Sequence, residues 1–289
     1  MTTKSIIVGI DGTDSSNAAI DWAVREAGYR GLPLRVVHVF DWDWSIARYD
    51  FTSEYFDKGR SGAEAVVARA DDRARKAASG IAVETDVLIG YPAPRLLEMA
   101  RDAELMVLGH RGRGGFAGLR LGSVSQRVAT HAPCPVVVVR GRVDSDGPVV
   151  AGVDDSPAAD LVLESAFAAA DGQGCPLVVL RSYLPAIPLW LADVRPTEVN
   201  TSEQDATERA DLQARLEPWR GKYPQVPVEV VLTHDGAAAA LVQASERARL
   251  IVVGSRGHGP LAGALLGSAG LQLLHHADCP VHIVRVRPA

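Results

Sequence analysis

The sequence contains little cysteine and no long apolar run. Its 289 residues include three cysteines, which are widely separated and form no Cys-x-x-Cys pair. This spacing indicates neither a disulfide framework nor a zinc site. No apolar stretch approaches the roughly 18 residues that a membrane-spanning helix needs, and the first residues contain no signal-peptide core. We therefore expect a cytoplasmic protein.

Positive charge is also scarce. The chain carries 30 lysines and arginines against 35 acidic residues, so its formal net charge is -5. No basic stripe alternates with aromatic side chains, which argues against a nucleic-acid partner, because proteins that bind a phosphate backbone present such a stripe. With 47% apolar and 22% charged residues, the chain has the composition of a globular protein long enough for two domains.

An internal repeat covers nearly the whole sequence. The matched segments are 5–15 with 149–156, 31–37 with 174–180, and 131–136 with 276–281. A short polar stretch from Gly141 to Gly147 separates the two halves and is typical of a linker. We predict one domain over residues 1–142 and a second over residues 147–289.

Each half predicts alternating strands and helices. In the first half, apolar runs near 5–10, 34–40, 81–89, 105–109 and 135–139 are typical of strands buried on both faces. Helix starts are predicted at Asp14, at Ser61, at Pro92 and at Ser123. This alternation favours a parallel sheet with right-handed crossovers. The predicted fold class is α/β, with two tandem flavodoxin-like domains, each a five-stranded parallel sheet with helices on both faces.

A glycine motif recurs at the end of the fourth predicted strand of each half. It reads Gly-x-x-Gly, nine residues, Gly-Ser, and consists of Gly109, Gly112, Gly122 and Ser123, and again of Gly254, Gly257, Gly267 and Ser268. Gly109 is expected to let a flat base or ribose approach the backbone, and Gly112 to let the loop turn. The Gly-Ser pair opens a helix whose free amides favour an anion. The motif therefore predicts a phosphate-binding site in each half.

Arginines accompany the first copy of the motif. They are Arg111, Arg113 and Arg120, whereas the second copy keeps Arg256 and has His258 and Leu265 at the other two positions. Guanidinium groups bind phosphate oxygens. We therefore expect the loop to act as a flap over the phosphates, and the first site to prefer ATP over ADP by a wider margin than the second.

Asp11 and Asp154 follow the first predicted strand of each half. A carboxylate there faces the same crevice as the glycine motif, where it could accept a ribose hydroxyl or meet a phosphate-bound Mg²⁺. An Asx-turn or a helix cap is the structural alternative. Because both aspartates stand beside a phosphate motif, we favour ligand contact and treat them as candidate metal ligands.

These residues resemble the ATP-binding branch of the universal stress proteins, in the two-domain form common in actinobacteria. The resemblance rests on Asp11, Asp154, the two glycine motifs and the Cys-Pro entry to the last strand of each half, and it spans almost the whole chain. It implies ATP with Mg²⁺ in each half and a role in the stress response. It also implies that Val39 offers backbone groups to adenine, with Ser182 as its counterpart.

Other nucleotide-binding patterns fit less well. GxGxxG/A strings begin at Gly112 and Gly257, but a dinucleotide-binding fingerprint follows the first strand rather than the fourth. No GxxxxGK[ST] string occurs, so a P-loop ATPase is unsupported. The segment after the first strand is faintly similar to the phosphate loop of ATP pyrophosphatases, and the fuller glycine motif argues against that class.

Two classes of function fit these observations. The chain is either a binding module whose ATP occupancy sets loop conformation and the choice of a regulatory protein partner, or an enzyme that slowly hydrolyses ATP or phosphorylates itself. Phosphoryl transfer needs a positioned base or a water-orienting residue, and no second acidic or glutamine residue recurs beside both motifs. The sequence therefore favours binding, and we assign no catalytic residue.

The last predicted strand of each half is a further interaction surface. Residues 136–139 are apolar and residues 281–286 are apolar except for His282 and Arg285, so both would form exposed sheet edges, which are prone to aggregate. We therefore predict a dimer-like association of the two halves, or of two chains, through these strands.

Overall fold

The computed structural model describes residues 4–42, 53–78, 80–113, 120–185, 201–256 and 266–285. Within them the chain forms two compact units, the first ending at Val143 and the second beginning at Asp144. No helix in these ranges is both long and apolar enough to cross a membrane.

The first unit alternates strands and helices along the chain. Its elements are β1 (Ser5–Ile10), α1 (Asp14–Arg30), β2 (Leu34–Phe40), α2 (Ser53–Ala77), β3 (Val83–Ile89), α3 (Pro92–Met99), β4 (Ala103–Gly109), α4 (Ser123–His131) and β5 (Val136–Val139). The strands form a parallel sheet in the order β3-β2-β1-β4-β5. Helix α1 packs beside α2, and α3 packs beside α4. Right-handed crossovers place these two pairs on opposite faces.

The second unit repeats the plan. Its elements are β6 (Val149–Gly152), α5 (Ala159–Gly172), β7 (Leu177–Ser182), α6 (Ser202–Lys222), β8 (Val228–Thr233), α7 (Ala237–Ser245), β9 (Leu250–Gly254), α8 (Ser268–His276) and β10 (Val281–Val284). The strands are parallel, in the order β8-β7-β6-β9-β10. The helix pairs are α5 with α6 and α7 with α8.

The predicted fold class is confirmed in both units, since each has a five-stranded parallel sheet with helices on both faces. The continuous apolar runs form buried strands because helices cover both sides of the sheet. In β1, for example, Ile6 and Val8 are fully buried. The predicted helix starts at Asp14, Pro92 and Ser123 are confirmed as well.

The predicted start of the second helix at Ser61 is wrong, because α2 begins at Ser53. Phe56, in the part of the helix that precedes Ser61, packs against aromatic rings at the end of β2. Its ring centroid lies 5.8 Å from that of Phe40 and 5.1 Å from that of Trp42. This contact stabilises helical turns that the local sequence alone does not predict.

The strand order determines where a ligand can bind. It reverses between β1 and β4 in the first unit, and between β6 and β9 in the second. Open α/β sheets bind ligands at the C-terminal ends of the strands beside such a reversal, because the flanking crossovers diverge there and leave a crevice. Asp11 directly follows β1, and Gly109 is the last residue of β4. Asp154 and Gly254 take the equivalent places beside β6 and β9.

Candidate functional site

The carboxylate of Asp11 connects the end of β1 to the loop after β4. Its Oδ1 accepts hydrogen bonds from the backbone N–H of Thr13 at 3.1 Å and from the Thr13 hydroxyl at 2.7 Å. Its Oδ2 accepts from the backbone N–H of Arg113 at 2.9 Å. The first bond is an Asx-turn, so the structural alternative is realised. A carboxylate offers about four acceptor positions, and these bonds to described residues take three of them.

Protein atoms occupy the space that a side chain would need at Gly109 and at Gly112. A Cβ on Gly109 would lie 2.5 Å from Ser15 Oγ and 2.6 Å from the Ser15 carbonyl oxygen, and a Cβ on Gly112 would lie 2.4 Å from Asp11 Oδ2. The φ of Gly112 is not in the left-handed region. At Gly109 a blocking atom belongs to the backbone, so close packing alone accounts for a glycine there, whereas at Gly112 the close atom belongs to the Asp11 carboxylate. An approaching base at Gly109 and a turn at Gly112 stay predictions from the sequence.

Gly122 is different, because the protein leaves space beside it. It is the N-cap of α4, with an extended backbone (φ -78°, ψ 146°) and no side-chain cap. A Cβ there would meet nothing closer than 3.5 Å, at Arg111 Cα and the His110 carbonyl oxygen. Its N–H donates to that carbonyl at 2.8 Å. The N-terminal turn of α4, which begins at Ser123, thus lies against the loop after β4 and presents the positive end of its dipole there.

Basic side chains surround this opening. A guanidinium nitrogen of Arg113 lies 3.0 Å from where a Cβ on Gly12 would be, so this arginine reaches over the end of β1. Arg111 is half-buried in the loop after β4, and Arg120 is exposed two residues before Gly122. The first unit therefore combines a helix N-terminus with three arginines, a combination that favours anions.

Val39 lies on the strand next to this opening. The register of β1 with β2 ends at the pair Ile10 and His38, whereas β2 and β3 stay paired at Val39 and Leu88. Val39 thus lies one residue beyond the last pair with β1, at the level of Asp11. The structure brings Val39, Asp11 and the first glycine motif to one edge of the sheet, as the sequence predicts.

Ser15 and His110 form a contact that the sequence analysis missed. Ser15 Oγ lies 3.1 Å from His110 Nδ1 and accepts a hydrogen bond from the Arg111 N–H at 3.2 Å. Burial, followed by the charges of Arg140 and Arg111, lowers the pKa of His110 below its ordinary value of 6.5, although an interaction with the Val139 backbone opposes this effect. The only local signal was that His110 lies inside the glycine motif.

The second unit repeats the geometry with different side chains. The Oδ1 of Asp154 accepts from the Ser156 N–H at 3.0 Å, again an Asx-turn. Gly267 is the N-cap of α8 and donates its N–H to the Ser255 carbonyl at 2.8 Å. Ser268 is the first residue of α8, and Arg256 is exposed in the loop after β9. Gly257, His258 and Leu265 lie outside the described residues.

A Cβ on Gly254 would lie 3.0 Å from the Arg256 carbonyl oxygen and 3.3 Å from Ala158 Cβ. Aligning the repeats pairs Ser15 with Ala158 and His110 with Ser255. The hydroxyl and imidazole of the first unit are therefore both absent from the corresponding positions of the second.

An ion-pair network marks the end of β7. Arg181, whose side chain is 11% exposed, makes two bonds to Asp155, at 2.9 and 2.8 Å, and one of 2.5 Å to Glu208. In the first unit the corresponding residues are His38, whose Nδ1 lies 2.7 Å from the Ile10 carbonyl oxygen, and Gly12. The second unit thus has an ion pair of Asp155 with Arg181 beside Asp154, where the first unit has Gly12 and His38.

Ser182 and its neighbours are also held by polar contacts. The Ser182 hydroxyl donates to the Asp235 carbonyl at 2.6 Å. Tyr183 and His234 both hydrogen-bond to Asp205, the latter at 2.9 Å, and these bonds hold the pKa of the Asp205 carboxyl below its ordinary value. In the first unit this end of the sheet carries aromatic rings instead, so the two units differ most where the second strand ends.

Fold and site together define a class: two doubly wound α/β domains in tandem, each with a glycine loop and a helix N-terminus at the reversal in strand order. The sequence profile of the universal stress protein family matches residues 2–140 and again 147–285. The chain therefore belongs to the universal stress protein family, with two of its domains in tandem.

One sequence relative supports the family, and solved structures are similar to the chain to different extents. A universal stress protein of Mycobacterium tuberculosis is 36% identical over 296 residues, which span 97% of this chain and 96% of that protein. The crystal structure of a universal stress protein from Archaeoglobus fulgidus has a TM-score of 0.74 at 20% identity and covers 99% of both chains. A universal stress protein solved in complex with cAMP is 28% identical and covers 48% of this chain and 98% of its own, with a TM-score of 0.36.

Proposed function

We propose that each unit binds one ATP with Mg²⁺ in the crevice beside its first and fourth strands, and that nucleotide occupancy sets the conformation of the loop after the fourth strand and the choice of protein partner. The observation that carries this proposal is the N-terminus of α4. A Cβ on its N-cap residue, Gly122, would meet atoms of the described residues at ordinary contact distances of 3.5–3.6 Å, in a backbone conformation that any residue adopts. Packing among the described residues therefore does not demand a glycine there, whereas a side chain would obstruct a phosphate close to the helix amides.

The proposed contacts of the nucleotide combine the positions of the residues with the resemblance to the ATP-binding branch of the family. In the first unit, Ser123 and the first amides of α4 face the phosphates, and Arg111 and Arg120 add charge. Asp11 offers its remaining acceptor position to a ribose hydroxyl, and the backbone of Val39 meets adenine. In the second unit, the corresponding residues are Asp154, Ser182, Gly254, Arg256, Gly257, Gly267 and Ser268.

Mg²⁺ fits this arrangement as an ion carried mainly by the phosphates. The described residues include no group of three or more His, Cys, Asp or Glu side chains that could hold a metal. Mg²⁺ in nucleotide sites typically keeps several waters and takes one or two carboxylates besides the phosphates. Asp11 and Asp154 can each supply one such carboxylate in the case where it binds Mg²⁺ instead of the ribose hydroxyl.

Pairing through the last strand of each unit is part of the same proposal and follows from the apolar sequences of residues 136–139 and 281–286. Separately expressed halves are expected to dimerise in analytical ultracentrifugation. Halves that stay monomeric at high concentration would contradict the pairing but not the nucleotide binding.

Two measurements test nucleotide binding. Mass spectrometry of the small molecules released from the purified chain is expected to find ATP or ADP. In thermal unfolding, Mg²⁺ with ATP is expected to raise the Tm more than NAD does, because a ligand at one hundred times its Kd stabilises the folded state by about 2.7 kcal/mol. No shift with ATP, or a larger shift with NAD, would refute the proposal.

A further inference from the structure

The hydroxyl of Ser15 lies against an imidazole at the edge of the proposed nucleotide site. Its Oγ is 3.1 Å from Nδ1 of His110, and the Arg111 N–H already donates to that Oγ at 3.2 Å. Arg111 takes one acceptor position of the oxygen, and in the tautomer whose Nδ1 carries no hydrogen the hydroxyl donates to that nitrogen. A hydroxyl paired in this way with a base is the arrangement that activates a serine nucleophile.

The other hydroxyls of this region are engaged differently. Thr13 donates to the Asp11 carboxylate at 2.7 Å, Ser16 to the Thr13 carbonyl at 2.8 Å, and Ser125 to the Gly109 carbonyl at 2.7 Å. None of these acceptors takes up a proton readily at neutral pH. Ser15 is thus distinguished from these three by having a nitrogen base as its partner.

The surroundings keep this base in its neutral form. Burial and the neighbouring charges of Arg140 and Arg111 lower the pKa of His110 against the opposing hydrogen bond with the Val139 backbone, which favours the neutral ring. A neutral ring whose Nδ1 faces a hydroxyl can accept the hydroxyl proton. Arg111 and Arg113 lie in the same loop and add the positive charge that a transferring phosphoryl group needs.

We propose that Ser15 accepts the γ-phosphoryl group of ATP bound in the first unit, with His110 as the general base. The Oγ–P bond forms as the bond from phosphorus to the β,γ-bridging oxygen breaks. ADP leaves with the electron pair, and the Ser15 proton passes to His110 Nδ1. This inference rests on the proposed function, because it requires ATP in the crevice beside Asp11.

The second unit provides an internal control. It has Ala158 in place of Ser15 and Ser255 in place of His110, so it has neither the acceptor nor the base. One phosphoryl group per chain is therefore expected, located in the first unit.

The deciding experiment is phosphosite mapping of the full chain, freed of nucleotide and incubated with Mg²⁺ and ATP. Phosphate on Ser15 is the expected result. His110→Ser, which installs the residue of the second unit, is expected to slow incorporation by about one hundred to ten thousand-fold, and Ser15→Ala to abolish it. Thr207→Ala, which alters an exposed hydroxyl that donates to the Glu203 carbonyl on α6, is the control and keeps the wild-type rate.

Two further readouts separate this inference from the proposed function. Calorimetry with a non-hydrolysable ATP analogue measures binding on the same samples. Binding without phosphate on Ser15, or phosphate on another residue, would overturn the inference alone, whereas an absence of binding would overturn both. In ¹⁵N NMR of the nucleotide-free chain, Ser15→Ala is expected to shift the Nδ1 resonance of His110. An unchanged resonance would mean that the hydroxyl does not donate to the ring and would refute the pairing.

Discussion

Gly109 and Ser15 are in direct contact, since a Cβ on Gly109 would lie 2.5 Å from Ser15 Oγ and 2.6 Å from the Ser15 carbonyl oxygen. The carbonyl is a backbone atom and cannot rotate away as a side chain can. The end of β4 is thus packed against the first turn of α1 without space for a side chain. This contact positions the loop after β4, whose Arg113 N–H bonds to Asp11.

Gly109→Ala is therefore expected to destabilise the first unit, lowering its free energy of unfolding by about 1–3 kcal/mol through overpacking. Gly28→Ala is the matched control: nothing lies within 4 Å of a Cβ at this position in α1, and alanine in a helix is favoured over glycine by up to about 1 kcal/mol. Urea unfolding of the two variants should give opposite signs. A Gly109→Ala chain as stable as the wild type would show that the contact is not close.

Arg120 is expected to favour ATP over ADP at the first site. It lies two residues before the N-cap of α4, and the corresponding residue of the second unit is Leu265. A guanidinium bonded to a phosphate adds about 1–3 kcal/mol when it is desolvated and little when it stays in water. Arg120→Leu should thus lower the ratio of ATP to ADP affinity at the first site, measured with the second site disabled by Gly267→Val.

Arg101→Leu provides the control for that measurement, because Arg101 is an exposed residue just before β4, at the opposite end of the strand from the crevice. It should leave the ratio unchanged. Equal effects of the two substitutions, or none from Arg120→Leu, would show that Arg120 is only a solvated surface residue.

Tyr183 is expected to be the main support of the Asp205 carboxylate. The hydrogen bond from the Tyr183 hydroxyl lowers the pKa of Asp205 most. The bond from His234 comes next, and the bond from Thr201 has a smaller effect. Burial and the same carboxylate raise the pKa of Tyr183 to about 12. Tyr183→Phe should therefore raise the pKa of Asp205 more than Thr201→Ala does, as measured by carboxyl ¹³C NMR.

The lowered pKa of Asp205 also makes the free energy of unfolding depend on pH. Because the folded pKa of Asp205 is below its ordinary value of 3.8, its contribution is present above pH 3.8 and is lost as the pH falls through the folded pKa. Tyr183→Phe should make that loss smaller. A Thr201→Ala shift as large as the Tyr183→Phe shift would contradict the ranking.

His110 is expected to make the first unit sensitive to acid. Its pKa is below 6.5 in the folded chain, so the unfolded chain binds more protons between the folded pKa and pH 6.5. His110 therefore leaves the free energy of unfolding undiminished above pH 6.5 and lowers it as the pH drops from 6.5 towards the folded pKa of His110. His110→Ser should flatten this part of the profile in urea titrations at a series of pH values. An identical slope in wild type and variant would exclude His110 as its source.

The sequence predicted the fold class well because each buried strand is a continuous apolar run. The internal repeat also shows the boundaries of the strands and helices in both halves of the chain. The sequence wrongly predicted a helix start at Ser61, because the capping-box pattern of Ser61 and Glu64 lies inside α2. The contact of Phe56 with Phe40 stabilises the helical turns that precede Ser61. The sequence also located Gly109 and Gly112 but not their close contacts with Ser15 and Asp11, which lie about a hundred residues away in the chain. The pairs Ser15 with His110 and Arg181 with Asp155 are likewise visible only in three dimensions.

Nucleotide binding in two separate crevices is the central claim, and calorimetric titration of the wild-type chain and single-glycine variants with Mg²⁺ and ATP tests it most directly. Two ATP per wild-type chain are expected, and one after Gly122→Val or Gly267→Val, since a β-branched side chain would fill the phosphate position at either helix N-terminus. No measurable binding to the wild-type chain, or two ATP per chain in the Gly122→Val variant, would contradict it.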